Sequence, residues 1–432
     1  MSRKLVFVVA LTGISILATA LVADAGGPVT RRLSVGSNEA EGDQESSCYV
    51  DDLSDDGTRA AFHSDSELAF ADENGFTDVY IRDVSTGKTR LASIRNNGSD
   101  ANGSSDGPAI SGNGRVIAFK SLATNLVRND ENGAADIFVR DLAARKTERV
   151  SIATNGTEAG DVENQPALSF TGRFVAFATA SQLVAKDDNH VSDVYLRDRK
   201  AKKTRIISVD SNGNSTTDGN SLFPTLSRSG RYVAFESDSD DLIPNDENNS
   251  TDIFRRDRKT GKTRRLSVAT NGSQLAGNSV YASISADGHL IAFQSGAEFS
   301  PDDDNGYDDV YLRNMNSGTT SFISRTHDGE DGDQESLYPS LSANGRMVGF
   351  YSFATNLFPD FETPLYTAYV FDRVTGNLKM VDRDSNGVPG DGVSWVCGMS
   401  ADGRFVMLSS ESTLVVNDEN NVADIFRRGP LY

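Results

Sequence analysis

Oxygen-bearing side chains recur along this chain at positions 1, 3 and 7 of a short acidic loop, a spacing that suits a hard cation. Six copies carry the set: Asp72/Asn74/Asp78, Asp130/Asn132/Asp136, Asp187/Asn189/Asp193, Asp246/Asn248/Asp252, Asp303/Asn305/Asp309 and Asp418/Asn420/Asp424. Ca²⁺ takes about six to eight oxygens at ~2.3–2.6 Å, and carboxylates on alternate residues of a tight loop converge with backbone carbonyls between them. The loops lack the downstream bidentate Glu of a complete calcium loop, so a second reading stands beside the first. In it, Asp and Asn build Asx turns and cap the strand that follows. Under the metal reading calcium is a structural cofactor that stiffens the loops, and no other cofactor is expected.

A seventh copy breaks the pattern. It reads Asp360-Phe361-Glu362-Thr363-Pro364-Leu365-Tyr366, losing the Asn and the second Asp and gaining rings, with Tyr351, Phe353, Phe358 and Tyr369 close by in sequence. Phe361 and Tyr366, with Phe223, Tyr281, Tyr338 and Trp395 from other copies, are the candidate ligand-binding residues, because an aromatic rim beside a polar channel suits a ligand or partner. The competing role for the same rings is core packing. No catalytic residue is assigned: His63, His190, His289 and His327 fall in different elements, and no Cys–His pairing or metal-protease helix is present. A glycosidase- or sialidase-type enzyme would need carboxylates converging on a channel, for which Asp51, Asp52 and Glu335 are the candidates.

The elements that hold these loops follow from their period. The leading aspartates, Asp72, Asp130, Asp187, Asp246, Asp303, Asp360 and Asp418, are separated by 58, 57, 59, 57, 57 and 58 residues, the mark of a repeat architecture. Each copy contains four strand-like runs. In one of them strand a is Phe223–Ser227, strand b Arg231–Ser237, strand c Asp252–Asp257 and strand d Thr263–Val268, with Gly in the tight turns and the acidic loop between b and c. The b strands are apolar on consecutive residues, as in Val175-Ala176-Phe177 and Val233-Ala234-Phe235, which means both faces are covered. The residue two before the turn Ser is mostly small (Ala109, Ala167, Thr225, Ser283, Ser340, Gly398, with Asp52 the exception), as the crowded centre of a ring requires. A lone d strand at Thr30–Val35 and a final c strand at Asp424–Arg428 can complete one sheet between them. The expected fold is all-β: a single seven-bladed β-propeller of four-stranded blades over residues 26–432, closed by its first strand. Its b–c and d–a connections share one face, which brings the loops and the aromatic candidates together.

The run Ser-x-Asp-Gly-Arg-x-Val-Ala-Phe followed by Asp-Ile-(Phe/Tyr)-x-Arg-Asp resembles the TolB-like β-propeller repeat, over essentially the whole chain after its first 25 residues. The resemblance implies an exported or periplasmic setting and a binding or scaffold task. A partner role in a Tol–Pal-like envelope complex is a further alternative, although the repeats here are longer and there is no room for the extra N-terminal domain of TolB itself.

Residues 1–25 read as an export signal, with Arg3 and Lys4 before an apolar run and Ala23-Asp24-Ala25 as a small-x-small cleavage pattern. The alternative is an uncleaved anchor, for which the run is short. No membrane span is expected after cleavage, and the localisation expected is periplasmic or secreted. The formal charge is −20, which repels phosphate backbones and argues against a nucleic-acid partner; a protein or glycan ligand and a monomeric state are expected. Cys48 and Cys397 fall in the first and last repeats, six and three residues before their turn Ser, and this offset leaves open either a disulfide across the ring closure or two buried thiols.

Overall fold

The computed structural model describes residues 27–49, 51–358 and 366–432. The signal segment 1–25 and, in the sixth loop, Asp360 and Phe361 lie outside the described residues. Twenty-eight strands form seven antiparallel four-stranded sheets, and no helix occurs among the described residues. Six blades are built from consecutive strands; in the fourth, a is Ser221–Leu226, b Tyr232–Ser237, c Asp252–Asp257 and d Lys262–Arg265. The seventh takes a, b and c from Ser394–Met399, Val406–Ser410 and Asp424–Gly429, and its outer strand from Val29–Arg32, paired Val29 to Gly429 and Arg32 to Phe426. The expected closure is therefore found. The d strands are shorter than expected because the chain leaves the ladder early: Leu266 N–H still bonds the Ile253 carbonyl, and then Val268 N–H turns back on Leu266.

Consecutive apolar residues of a b strand serve opposite neighbours. Val175 and Phe177 pack toward the second blade, and Ala176 toward the fourth, with Val233 and Phe235. All five are fully buried, and a buried Phe or Val of this kind contributes about 1.5–3 kcal/mol. The turn Ser acts through its hydroxyl, which accepts the N–H five residues on, as Ser227 does from Tyr232 at 3.0 Å.

Two devices lock the ring beyond the shared blade. Cys48 and Cys397 are joined in a disulfide with Cα atoms 5.6 Å apart. The sequence offset between them is absorbed by a register shift between Val396 and Gly398, and Gly398 lets the two inner strands approach: a Cβ there would lie 3.2 Å from the Asp52 nitrogen. At the a–b turns a circle of seven inter-blade backbone hydrogen bonds runs from Asp55 to Gly112, Asn113 to Phe170, Phe170 to Arg228, Arg228 to Ala286, Ala286 to Ala343, Asn344 to Ala401 and Ala401 to Asp55. Inside that circle the Arg228 guanidinium pairs with the Asp55 carboxylate and lies 3.6 Å over the Phe170 ring. Blades 4 and 1 are three steps apart in a ring of seven, so this pair spans the channel at one end.

Candidate functional site

In all six acidic loops the Asn forms an Asx turn. Oδ1 of Asn74, Asn132, Asn189, Asn248, Asn305 and Asn420 accepts the N–H two residues on, at Phe76, Ala134, Val191, Ser250, Tyr307 and Val422 respectively. In five of them Nδ2 donates to the trailing aspartate, as from Asn189 to Asp193 at 3.0 Å, Asn248 to Asp252 at 3.0 Å and Asn420 to Asp424 at 3.2 Å. Asn132 differs: its Nδ2 donates to the Ala159 carbonyl at 2.6 Å, while Asn420 also reaches the Gly42 carbonyl at 3.0 Å.

These bonds give position 3 a turn-forming role in the structure. Asn132 and Asn420, like Asn74, Asn189, Asn248 and Asn305, hold the loop shape and do not point an oxygen at their aspartates, because Oδ1 turns back to the loop's own backbone and the amide nitrogen faces the carboxylate or a carbonyl. The carboxylate oxygens of each loop therefore come from its aspartates, with the amide nitrogen as a donor to them or to a neighbouring carbonyl. The trailing aspartate also accepts a Ser hydroxyl from the segment after strand d, as Asp309 does from Ser324 at 2.6 Å. The carboxylates themselves are crowded: burial, with neighbouring carboxylates adding, pushes Asp72 up to about 6, Asp78 and Asp303 to about 7 and Asp309 to about 8.

The aromatic candidates converge at the open end of the channel. A cavity of about 570 Å³ is walled by the starts of the a strands of all seven blades, and Phe223, Tyr281, Tyr338, Tyr351, Tyr366 and Trp395 line it. Ring centroids form a continuous arc: Phe223 to Tyr281 is 5.1 Å, Tyr281 to Tyr338 4.3 Å, Tyr338 to Tyr351 5.5 Å, and Tyr351 to Tyr366 6.1 Å. Phe353 backs Tyr366 at 4.0 Å. Two rings near this group in sequence go elsewhere: Tyr369 is fully buried in the core between blades, and Phe358 packs against it.

Backbone strain aims the arc inward. Phe223, Tyr281 and Tyr338 have φ of 45°, 53° and 50°, a left-handed conformation rare for bulky side chains, each within a β-bulge of its a strand. Gly107 of the second blade holds the same conformation at φ 55°. Buried b-strand side chains brace two of the bulges: Glu236 Oε2 accepts the Tyr281 N–H at 3.0 Å and Gln294 Oε1 the Tyr338 N–H at 3.2 Å. Burial pushes the Glu236 carboxyl up to about 7.

The facing wall, from blades 1 to 3, is polar: Asp51, Asp106, Lys120, Glu163, Asn164 and Gln165. Lys120 and Asp106 pair at 3.7 Å. Of the enzyme candidates, Asp51 lines the cavity and is exposed to solvent there. Asp52 is buried and accepts the Tyr49 N–H, and Glu335 is not among the lining residues. Ser105, in Gly103-Ser104-Ser105-Asp106-Gly107, is buried on a strand and donates to Ser121 at 2.9 Å, not on an exposed nucleophile turn. His63 is half-buried against Tyr49, their rings 5.6 Å apart. Apart from Asp51, the polar wall was missed from sequence, yet for Lys120 a signal existed. The next-to-last residue of strand b is His63, Lys120, Ala178, Glu236, Gln294, Tyr351 and Ser409 in turn, varying where its neighbours hardly do.

No protein-family model and no curated protein matches the chain. Solved structures that resemble it include an oligogalacturonate lyase from Vibrio parahaemolyticus, at 12% identity over 93% of each chain with a TM-score of 0.57. The β-propeller domain of the Trilobed protease from Pyrococcus furiosus matches at 15% identity and a TM-score of 0.53, covering 89% of this chain and 98% of that one. TolB from Acinetobacter baumannii is also among them, at 19% identity and a TM-score of 0.40, covering 68% of this chain and 57% of that one, so the chain spans just over half of that TolB. At such identities the likeness is one of fold. The protein is a seven-bladed β-propeller, with TolB structures among those it resembles. Among the described residues no helix is long and apolar enough to cross a membrane.

Proposed function

We propose that this propeller is an exported binding module that holds a glycan in the mouth of its channel. The observation that carries the reading is the arc of adjoining rings from Phe223 to Tyr366, packed edge-on, tilted and stacked in turn, facing a polar wall in one cavity. Aromatic faces suit the C–H faces of sugar rings, while Asp106, Lys120, Glu163, Asn164 and Gln165 offer donors and acceptors to hydroxyls. The far end is spanned by Arg228 and Asp55. The disulfide supports export, since such bonds persist in oxidising compartments, and agrees with the signal pattern of residues 1–25. Calcium, in those acidic loops that would hold it, belongs to this reading as reinforcement of the same face and not as a reactant.

Calorimetric titration against a panel of neutral and acidic oligosaccharides tests it. Saturable binding that weakens at least tenfold in Tyr281→Ala and Tyr338→Ala supports the proposal, and absence of binding across the panel removes it. Asp51, which lines that cavity together with Asp106 and Glu163, favours a second reading as a carbohydrate-active enzyme. Turnover of the same panel, abolished in Asp51→Asn, distinguishes that case.

A further inference from the structure

The acidic loops fall into two classes. In blades 2, 4 and 7 the c strand carries Phe opposite an Arg of strand d: Phe138 faces Arg149, Phe254 faces Arg265 and Phe426 faces Arg32. In the other four blades a Tyr faces an apolar residue: Tyr80 and Leu91, Tyr195 and Ile206, Tyr311 and Phe322, Tyr369 and Met380.

Each Arg lies between the two aspartates of its loop. Arg149 Nη1 is 3.1 Å from Asp130 and 3.0 Å from Asp136; Arg265 Nη1 is 2.6 Å from Asp246 and 2.9 Å from Asp252; Arg32 Nη1 is 3.5 Å from Asp418 and 3.2 Å from Asp424. A longer side chain from the following loop, Glu158, Gln274 or Glu41, completes the group. Three loops thus contain a fixed cation supplied by the chain. In the seventh blade Glu41, Asp418 and Asp424 also bring their oxygens within 4.8 Å of one another, but there the Arg32 guanidinium holds all three.

In blades 1 and 5 the Arg is missing, and the residue in the Glu position is an aspartate. The bridges Ile152–Glu158, Val35–Glu41, Ile94–Asp100 and Arg325–Asp331 fix the correspondence. Carboxylate oxygens of Asp72, Asp78 and Asp100 lie within 4.8 Å of one another, as do those of Asp303, Asp309 and Asp331. Among the described residues none of these six takes part in an ion pair. Asp72 and Asp303 are 4% and 3% exposed; one oxygen of each accepts a Tyr hydroxyl, from Tyr80 and Tyr311, and Oδ1 of each has no partner. A buried carboxylate oxygen without a donor is costly, and a cation in the cluster would satisfy it.

We propose that the loops of blades 1 and 5 each bind a divalent cation of the Ca²⁺ type. The ligands are Asp72, Asp78 and Asp100 in one and Asp303, Asp309 and Asp331 in the other, at the place an Arg guanidinium takes in blades 2, 4 and 7. Water completes the shell, and Asn74 and Asn305 remain turn formers. In the third blade the corresponding residue is Ser215, which leaves the two carboxylates of Asp187 and Asp193 and no site.

The test is calorimetric titration of the EDTA-treated protein with Ca²⁺, then with Mg²⁺ and Mn²⁺. Two sites per chain are expected for at least one of these ions, falling to one in Asp100→Asn or Asp331→Asn and to none in the double variant. A separate variant, Tyr80→Phe/Leu91→Arg/Asp100→Glu, rebuilds the first loop as the Arg class and should keep the native circular dichroism spectrum while losing one site. No binding of any of the three ions, or a stoichiometry unchanged by Asp100→Asn and Asp331→Asn, overturns the proposal. Its fate is separate from that of glycan binding, which is read on a different ligand and different residues.

Discussion

Arg228 of the fourth blade reaches across the channel to Asp55 of the first, residues 173 apart in sequence. The pair sits inside the circle of inter-blade backbone bonds at the a–b turns and stacks on Phe170. It spans the channel at the end opposite the mouth that the aromatic rings line.

Replacing Arg228 by Met leaves Asp55 at that end without its partner. Burial already raises the Asp55 carboxyl, and Arg228 opposes that rise, so without it the group protonates at higher pH. Both side chains are partly exposed, which limits the loss to about 1 kcal/mol. Urea unfolding should show that loss at pH 8 and a smaller one at pH 5, where Asp55 is closer to neutral in the variant.

The strained arc separates binding from stability. Tyr338→Gly removes a ring that is 40% exposed and relieves a left-handed backbone that Gly adopts freely, as Gly107 does in the second blade. The two effects oppose each other, so unfolding free energy should change by less than about 1 kcal/mol. Glycan affinity should drop at least tenfold. A large stability loss without loss of affinity would show the ring to be a core residue.

Glu236 makes stability depend on pH. Its folded-state value of about 7 lies above the ordinary 4.5, so the native state holds the proton more tightly than the unfolded chain. The sign follows: stability is fully present below about 4.5 and declines as pH rises through 7. Glu236→Gln keeps an acceptor for the Tyr281 N–H, as Gln294 does for Tyr338, and removes the titration. Melting temperatures of wild type and variant measured from pH 5 to pH 8 should diverge, with the variant the more stable at pH 8.

Reduction of Cys48–Cys397 opens a loop of sequence separation 349. Chain-entropy arguments put the loss at up to roughly 6 kcal/mol. The ring should nevertheless stay closed at moderate temperature, because Val29–Arg32 still pairs with the last strand. A lower melting temperature in dithiothreitol with an unchanged far-ultraviolet spectrum is the expected result.

Arg149 neutralises two buried carboxylates, Asp130 and Asp136, and is itself nearly buried. Arg149→Leu strands both and should cost about 3–5 kcal/mol in EDTA. Part of that loss should return on adding Ca²⁺ to Arg149→Leu/Glu158→Asp, which copies the first blade; chemical denaturation with and without the ion measures it.

Much of this is legible in the amino-acid sequence. Val233-Ala234-Phe235 announces a strand covered on both faces, and the strand at Val29–Arg32 announces closure, because both are local patterns repeated at one period. The aromatic candidates Phe223, Tyr281, Tyr338, Tyr366 and Trp395 do meet in one cavity, since equivalent positions in a ring share a face. Their left-handed backbones were not legible: three bulky aromatics stand where a Gly would be expected. The disulfide was undecided because the bulge at Cys397 hides its alignment with Cys48. Spacing alone could not separate ligand from turn former at Asn132 and Asn420, since both roles ask for a side-chain oxygen at the same place in the loop, and only the direction of Oδ1 tells them apart. The two loop classes were written in the sequence as Phe with Arg and Tyr with an apolar residue, but nothing marks them as partners until strand register sets Phe138 opposite Arg149 and Tyr80 opposite Leu91.

The sequence alone determined the number of blades, their four strands, the burial of the b strands and the closure by the first strand, because each depends on patterns within one repeat or at the two ends. Only the tertiary structure decided what meets at the axis. Arg228 and Asp55 are related by no period, and the cavity walls come from seven separate strands whose bulges set where each side chain points. Contacts between distant repeats exist only once the ring has closed, and so no reading of a single repeat contains them.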